Sequence, residues 1–300
     1  WYDILKWDMA AGPIGIDDNF FELGGNSLTL IQFTTKVNSL FKLNLPIAEF
    51  FKNARIREIS KLLLINAYKK DITGPYFVFN DNRPRSIFCF PPGLSYGIAY
   101  RDLATYLEDI TFYSFNFIEN PDRFREYSGI ITGLQDKGPY VLLSSSGGGI
   151  FVFETAKELE RQGYEVSDLI FIDIATDMKA RAAGNIADGE KIDENFYNVI
   201  LNMMAEMGLN HLKDEVINNA KKYSAFVYNM EYNGQVKANI HHILSANRVQ
   251  DKTTDLAPFT RGQYKTYRGF GNHQDMLMPG HLEANSKIIR DIIREIKDRS

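Results

Sequence analysis

The apolar positions at the N-terminal end of the chain recur with the period of an α-helix. This spacing runs over residues 28–41 and again over 56–63, with Pro46 and a short apolar turn between them. A stretch of this length has room for three or four helices and little else. The pattern therefore predicts a small helical domain over residues 1–68.

Beyond residue 75 the apolar residues fall instead into short runs that are rich in β-branched and aromatic side chains. Helical stretches near 100–108, 150–162 and 282–298 separate many of these runs. Strands that alternate with helices indicate a largely parallel sheet with helices on both faces. The predicted strands are YFVFN (76–80), SIFCF (86–90), TFYSFNF (111–117), YVLL (140–143), DLIFID (168–173), ANIHHIL (238–244) and YKTYRGF (264–270).

Two segments connect or interrupt these patterns. The segment KKDITGP (69–75) loses periodicity and ends in a helix-breaking Gly-Pro pair. We therefore expect a linker over residues 69–82, followed by an α/β domain over 83–300. Between the fifth and sixth predicted strands, residues 178–230 have helical periodicity, and a long insertion of this kind is typical of a lid above the sheet.

Composition narrows the function classes. The net charge is −4, so neither nucleic acid nor an anionic membrane surface is expected as a partner. No run of about 18 apolar residues is present to span a membrane. The single cysteine, Cys89, excludes an internal disulfide framework and a cysteine-based zinc site, and it fits a cytoplasmic location. The opening residues WYDILK look like the end of a helix already under way, which suggests a fragment of a longer chain.

The first segment with recognisable chemistry is DNFFELGGNSLTLIQF (18–33). Ser27 follows a flexible pair of glycines and stands at the start of a predicted helix, which exposes its hydroxyl. A serine in this position is most often an N-cap, and the residues alone favour that role.

The same segment resembles the phosphopantetheine attachment motif of peptidyl carrier proteins, D-x-F-F-x-L-G-G-x-S-L. Residues 18–28 match every fixed position of it. The resemblance implies that the helical domain is a small four-helix carrier bundle, with its first helix cut short. It also implies that Ser27 holds a 4′-phosphopantetheine arm, whose thiol carries an acyl chain as a thioester. The capping and attachment roles are compatible.

The second segment with chemistry is YVLLSSSGGGIFVFE (140–154), a strand that enters a sharp turn of small residues and then a helix. A serine exposed at such a junction is a nucleophile elbow, and the N–H of the following residue, Gly147, would point at a developing oxyanion. A glycine-rich connection or a phosphate loop is the alternative, although no phosphate-binding glycine fingerprint follows.

The elbow departs from the usual pattern G-x-S-x-G. If Ser146 is the nucleophile, Ser144 stands where glycine is usual; if Ser145 is the nucleophile, Leu143 does. Ser146 is therefore the predicted nucleophile, and Ser144 leaves the geometry of the elbow open.

A serine nucleophile needs an acid and a histidine, which follow it in that order in this class of fold. Asp173 ends the apolar strand DLIFID, and His273 lies in a glycine-flanked loop after the last predicted strand. We expect His273 to take the serine proton and Asp173 to orient the imidazole. Asp251 is a rival acid, and the rival bases are His211, His241, His242 and His281.

Residues 83–300 resemble the type I thioesterase domains of non-ribosomal peptide synthetases, in particular the surfactin-type cyclising thioesterases. SIFCFPPGLSYGIAYRDLATYL (86–107) is similar to their F-P-P-x-x-x-Y-G-x-x-Y segment, and DLIFID and RGFGNHQDML are similar to their acid and histidine segments. The resemblance implies an α/β-hydrolase fold, with Gly93 as a second oxyanion donor beside Gly147.

Together the two resemblances predict the terminal carrier and release module of a synthetase. An acyl or peptidyl chain held at Ser27 would pass to Ser146 and leave by hydrolysis or macrocyclisation. Expected partners are upstream condensation and adenylation domains, a phosphopantetheinyl transferase and the thioester substrate. Two alternatives stay open: a catalytically silent carrier and docking module, and a general esterase of the same fold. A reductase terminus would need a dinucleotide-binding glycine fingerprint after the first strand, and this sequence has none there.

Overall fold

The computed structural model describes residues 1–41, 43–63, 74–93, 95–176, 213–248 and 254–299. The chain divides into two compact units; one contains the described residues up to 63, and the other contains those of 74–176, 214–248 and 254–299. Among all these residues, no helix is both long enough and apolar enough to cross a membrane.

The first unit is helical. One face of its longest described helix is buried, because Leu30, Phe33 and Val37 recur at helical spacing. The ring of Phe33 lies between those of Phe20 and Phe50, with 5.8 Å between centroids on each side. Phe20 and Phe50 are fully buried in the same apolar core. The described helices are α1 (Tyr2–Leu5), α2 (Ser27–Phe41), α3 (Ile47–Lys52) and α4 (residues 56–63).

The second unit is built on a sheet whose seven described strands have the order β1-β3-β2-β4-β5-β6-β7. β1 pairs with β3 in antiparallel orientation, and every other neighbouring pair is parallel. The strands are β1 (Tyr76–Phe79), β2 (Ser86–Phe90), β3 (Thr111–Phe115), β4 (Tyr140–Ser145), β5 (Val166–Ile172), β6 (Asn239–Leu244) and β7 (Tyr264–Arg268).

Helices cover both faces of this sheet. Adjacent residues of a strand point to opposite faces, and Leu142 and Leu143 of β4 belong to two different apolar clusters. Tyr127, Phe151 and Tyr223 from three helices complete the first cluster. The helices are α5 (Arg101–Thr105), α6 (Arg123–Leu134), α7 (Gly149–Arg161), α8 (Lys213–Asn229) and α9 (Pro279–Arg299), and α5 and α9 contribute to the second cluster. The predicted, mostly parallel sheet with helices on both faces is confirmed.

The predicted linker, residues 69–82, is wrong in its second half. Residues 76–79 form β1, which pairs with β3 along its whole length. Phe77 is almost fully buried, so this edge strand is part of the folded sheet. The run YFVFN carried the strand signal, and the sheet therefore begins before residue 83.

Helix α6 was not predicted from the sequence. It buries Tyr127, Ser128 and Ile131, which share one face of the helix. Charged residues and two glycines dilute this apolar stripe, so the periodicity of the segment is weak. The burial of α6 comes from the aromatic cluster that it joins, in which the ring of Tyr127 lies 5.1 Å from that of Phe90.

The predicted lid, residues 178–230, falls largely outside the described residues. Its C-terminal part is helix α8, and the side chains of Val216, Ala220 and Tyr223 on this helix are buried. The apolar positions predicted earlier in this segment, Phe196 and Met203 among them, lie outside the part of the chain that the structure describes.

Candidate active site and carrier site

The site is built on the junction between β4 and α7. β4 ends at Ser145, and a 3₁₀ turn over Ser146–Gly148 leads directly into the helix. Ser146 has φ of 53°, in the left-handed region that non-glycine residues rarely occupy. This conformation turns the side chain out of the sheet. Strained backbone of this kind concentrates at functional sites.

The turn is tight enough to require small residues after the serine. A Cβ added at Gly148 would lie 2.6 Å from the carbonyl oxygen of Pro91. The same Cβ would lie 3.1 Å from the Oγ of Ser144, so the glycine at 148 makes room for the unusual serine. Ser144 is fully buried, and within the described residues its Oγ has no hydrogen-bond partner. The departure from G-x-S-x-G therefore leaves an elbow conformation in place.

The structure brings the three predicted residues into one hydrogen-bonded chain. The Oγ of Ser146 lies 2.9 Å from Nε2 of His273, and Nδ1 of His273 lies 2.6 Å from Oδ2 of Asp173. Asp173 directly follows β5, and His273 lies between β7 and α9. The rival register is not supported, because Ser145 ends the strand and its backbone N–H donates to the hydroxyl of Tyr100.

Asp173 is held as a carboxylate by several groups at once. Burial raises its pKa, but hydrogen bonds from His273 and Ser245 and the charge of Arg248 outweigh burial and lower the pKa to about 2. The backbone N–H of Ser245 donates to Oδ1 at 2.7 Å. Arg248 lies 3.3 Å from Oδ2 and donates to the backbone carbonyl of Asp173 at 3.2 Å. The carboxylate is thus ionised and fixed against the imidazole.

Sequence reasoning missed the residues that support the acid and the histidine loop. Ser245 and Arg248 follow β6, next to Asp173 in the sheet. Asn285 of α9 is fully buried and makes three hydrogen bonds to the loop that carries His273. Its side chain accepts from Phe270 N–H at 2.9 Å and donates to the carbonyls of Phe270 at 2.9 Å and Met276 at 2.8 Å. For Asn285, the sequence did offer one signal, because it is a polar residue inside the apolar stripe of a helix.

The rival histidines have other surroundings. His241 is buried and lies 2.9 Å from Asp168 and 2.8 Å from the hydroxyl of Tyr267. His281 is half-exposed, 3.9 Å from a carboxylate oxygen of Asp275. His211 and Asp251 lie outside the described residues.

His242 lies behind the acid. Its Nε2 accepts a hydrogen bond from the backbone N–H of Ile174 at 3.2 Å. Burial lowers the pKa of His242 to about 4, although the charge of Asp173 acts in the opposite direction. The folded protein therefore holds this ring neutral, and the ring braces the residue next to Asp173.

A pH-dependent loss of stability is expected from His242. In the unfolded chain the imidazole takes up a proton near its ordinary pKa of 6.5, whereas the folded protein resists protonation until pH about 4. The unfolding free energy should therefore fall as the pH drops through this window, by about 3 kcal/mol. His242→Gln keeps an acceptor for Ile174 but does not titrate, so it should lose about 3 kcal/mol less than the wild type between pH 7 and pH 4 in urea unfolding. The control is His281→Gln at a half-exposed histidine, and it should lose as much stability as the wild type. Equal losses in the wild type and in His242→Gln would contradict the assignment.

The two predicted oxyanion donors lie on segments that meet at the elbow. Gly147 is buried in the turn directly after Ser146. Gly93 lies within the turn closed by the hydrogen bond from Ser95 N–H to Pro92 O, 2.9 Å long. The carbonyl of Pro91, at the start of this turn, is also the atom that a Cβ at Gly148 would meet.

In the first unit, the structure places Ser27 at the first position of α2, not at its cap. Asn26 is the cap, because its Oδ1 accepts from the N–H groups of Leu28 at 3.0 Å and Thr29 at 3.1 Å. The Oγ of Thr29 accepts from Asn26 N–H in return, which completes a reciprocal capping box. The predicted capping role for Ser27 is therefore wrong. Its exposed hydroxyl is left available, which fits an attached phosphopantetheine.

The arrangement in the second unit has a defined chemistry. A serine hydroxyl that is hydrogen-bonded to an imidazole, which is in turn hydrogen-bonded to a buried carboxylate, is the arrangement of a nucleophile, its general base and the group that orients the base. The three occur in the order Ser, Asp, His, each beyond the carboxyl end of a parallel strand, with the serine at a strand–turn–helix junction. Fold and site together define a serine hydrolase of the α/β-hydrolase class.

Comparison with known protein families shows which family within this class the chain belongs to. The thioesterase domain family matches residues 85–299, and the phosphopantetheine attachment site matches residues 1–63. The chain therefore belongs to the thioesterase domain family, and it carries a phosphopantetheine attachment domain at its N-terminal end.

The chain is similar to synthases that are several times longer than it is. Bacitracin synthase 3 of Bacillus licheniformis is 32% identical over 311 residues, which cover 98% of this chain and 5% of the synthase. Surfactin synthase subunit 3 of Bacillus subtilis (strain 168) is 32% identical over 304 residues, covering 96% of this chain and 22% of that subunit. The chain thus spans a small part of the length of these relatives.

A solved structure agrees with the fold. The thioesterase domain SrfTE, described in its report as cyclising the lipopeptide antibiotic surfactin, matches with a TM-score of 0.64 and 28% identity. The match covers 73% of this chain and 95% of that domain.

Proposed function

We propose that this chain is the terminal carrier and release module of a non-ribosomal peptide synthetase, with a carrier domain at 1–68 and a thioesterase domain that takes in β1. The observation that carries the proposal is the hydrogen-bonded chain from Ser146 through His273 to Asp173. Ser27, exposed at the start of α2, is the proposed attachment point for 4′-phosphopantetheine. When attached, that group supplies the thiol on which an acyl chain is held as a thioester.

The proposed reaction is a two-step acyl transfer. Ser146 Oγ attacks the thioester carbonyl while His273 Nε2 takes its proton, and the N–H groups of Gly93 and Gly147 stabilise the oxyanion. The carbon–sulfur bond then breaks, and His273 returns the proton to the leaving thiolate. A water, or a hydroxyl or amine of the chain itself, next attacks the ester at Ser146 in the same way. Asp173 stays ionised and stabilises the imidazolium in both steps.

The released product follows from the second nucleophile. Attack by water gives a linear acid, and attack by a group of the chain itself gives a macrocycle. The likeness to SrfTE supports macrocyclisation as the proposed outcome. Proposed partners are upstream condensation and adenylation domains and a phosphopantetheinyl transferase. We further propose a cytoplasmic location, which the single, buried Cys89 supports.

A catalytically silent module was the alternative suggested by Ser144. The accommodation of Ser144 by Gly148, together with the 2.9 Å contact between Ser146 and His273, favours the active form instead. A fluorophosphonate probe separates the two, because it labels a serine only where an activated hydroxyl attacks it. We expect one label per chain.

The decisive experiment loads the chain with acyl groups and follows their fate. A phosphopantetheinyl transferase and a panel of acyl- and peptidyl-coenzyme A molecules charge Ser27, and mass spectrometry detects the acyl-enzyme and the released acids or macrocycles. We expect the label to move from residue 27 to residue 146 and then into solution. Acyl groups that stay on residue 27 with every member of the panel would refute release by this chain.

A further inference from the structure

The hydroxyl of Tyr100 joins the ends of two strands at the active site. It donates to the carbonyl of Phe90, the last residue of β2, at 2.8 Å, and it accepts from the N–H of Ser145, the last residue of β4, at 2.9 Å. Tyr100 is fully buried, and burial raises the pKa of its hydroxyl, which therefore stays protonated. One oxygen atom thus fixes the segment that leads to Gly93 against the segment that leads to Ser146.

A second tyrosine acts on the next residue of the same segment. The hydroxyl of Tyr223, on α8, donates to the carbonyl of Pro91 at 2.9 Å. A Cβ added at Gly147 would lie 3.2 Å from this same hydroxyl oxygen, so Tyr223 packs closely against the elbow turn. Its ring stacks on that of Phe151 in α7, with 5.3 Å between centroids and an angle of 15° between the planes.

The consecutive carbonyls of Phe90 and Pro91 are therefore held by two tyrosine hydroxyls from different parts of the fold. Both carbonyls come immediately before the turn that contains Gly93. Downstream the turn is anchored by Phe117 N–H, which donates to Ser95 O at 2.8 Å. Between the two anchors, the orientation of the peptide at Gly93 depends on where the carbonyl of Pro91 is held.

We propose that Tyr100 and Tyr223 are positioning residues that set the gap between the two segments carrying the oxyanion N–H groups. The inference rests on the proposed function, in which Gly93 and Gly147 are those donors. Both hydroxyls bond backbone atoms. Each acts through the backbone, and small displacements of such donors reduce the stabilisation of the transition state much more than the binding of the substrate.

The test compares phenylalanine variants of three buried tyrosines in the second unit. Tyr223→Phe and Tyr100→Phe each remove one hydroxyl and keep the ring. Tyr140→Phe is the matched control, because Tyr140 is fully buried and its hydroxyl also donates to a backbone carbonyl, that of Gln135 at 2.9 Å, but it lies at the start of β4, away from the elbow. The substrate is an octanoyl-N-acetylcysteamine thioester, and its hydrolysis gives kcat and KM. The rates are measured at a temperature well below the Tm of each variant. They are expressed per site that a fluorophosphonate labels, so that unfolded protein is not counted.

We expect kcat to fall at least about tenfold in Tyr223→Phe and in Tyr100→Phe, with KM changed less than about twofold. Tyr140→Phe removes a buried hydroxyl in the same way, but it should keep kcat within about twofold of the wild type. Unchanged kcat in both test variants, or an equal loss of kcat in Tyr140→Phe, would overturn the inference. A wild-type protein that forms no acyl-enzyme would instead overturn the proposed function, so the two failures are distinguishable.

Discussion

Replacing Ser146 with alanine is expected to abolish acyl-enzyme formation and to lower product release by roughly 10⁴- to 10⁶-fold, as removal of a triad nucleophile does in other serine hydrolases. The physical reason is the loss of the oxygen that lies 2.9 Å from His273. Folding should be unaffected, because alanine removes only the side-chain oxygen. Release is measured by mass spectrometry on the acyl-loaded chain, and the thermal unfolding midpoint is recorded beside it.

The matched control for this prediction is Ser145→Ala. It keeps the backbone N–H that donates to Tyr100 and removes only the side-chain hydroxyl of the residue before the proposed nucleophile. We expect Ser145→Ala to form the acyl-enzyme. If Ser146→Ala acylates and Ser145→Ala does not, the nucleophile is the other serine and the register of the elbow is wrong.

Replacing Ser27 with alanine is expected to remove the modification of the carrier domain completely. Incubation of the wild type with coenzyme A and a phosphopantetheinyl transferase should add the mass of one arm, because Ser27 is exposed and Asn26, not Ser27, caps the helix. Ser27→Ala offers no hydroxyl to accept the arm. Intact-protein mass spectrometry measures the difference.

Ser39 provides the control for this second prediction. It lies on the same helix, is exposed, and is absent from the attachment motif. Ser39→Ala should accept one arm like the wild type. An arm that persists in Ser27→Ala, or that disappears in Ser39→Ala, would contradict the assignment of the attachment site, while leaving the thioesterase assignment intact.

Much of the candidate site could be predicted because its chemistry is encoded locally. The elbow is one continuous segment in which small residues surround Ser146, and the strand before it is marked by its apolar run. Asp173 and His273 were found by their positions after predicted strands. In the structure, His273 lies 2.9 Å from the Oγ of Ser146 and 2.6 Å from the Oδ2 of Asp173.

Other parts could not be predicted because they depend on partners distant in the sequence. Helix α6 has a weak apolar stripe and is buried by aromatic rings from other elements. The capping of α2 was assigned to Ser27, one residue too late, because serine and asparagine are both good caps and only backbone geometry separates them. The sequence around Arg248 does not indicate that it contacts Asp173, and the polar Asn285 in an apolar helix stripe does not reveal that its partner is Phe270.

The sequence alone indicated a helical part followed by an α/β part, the seven described strands, most of the described helices, and the residues proposed to carry the chemistry. These properties arise from side-chain patterns within about ten residues, where periodicity and turn preferences act. Which residues contact the acid, the histidine loop and the segments that carry Gly93 and Gly147 is seen only in the folded structure. Their contacts join segments far apart in the chain, such as Tyr223 and Pro91, and such contacts exist only after the sheet has brought those segments together.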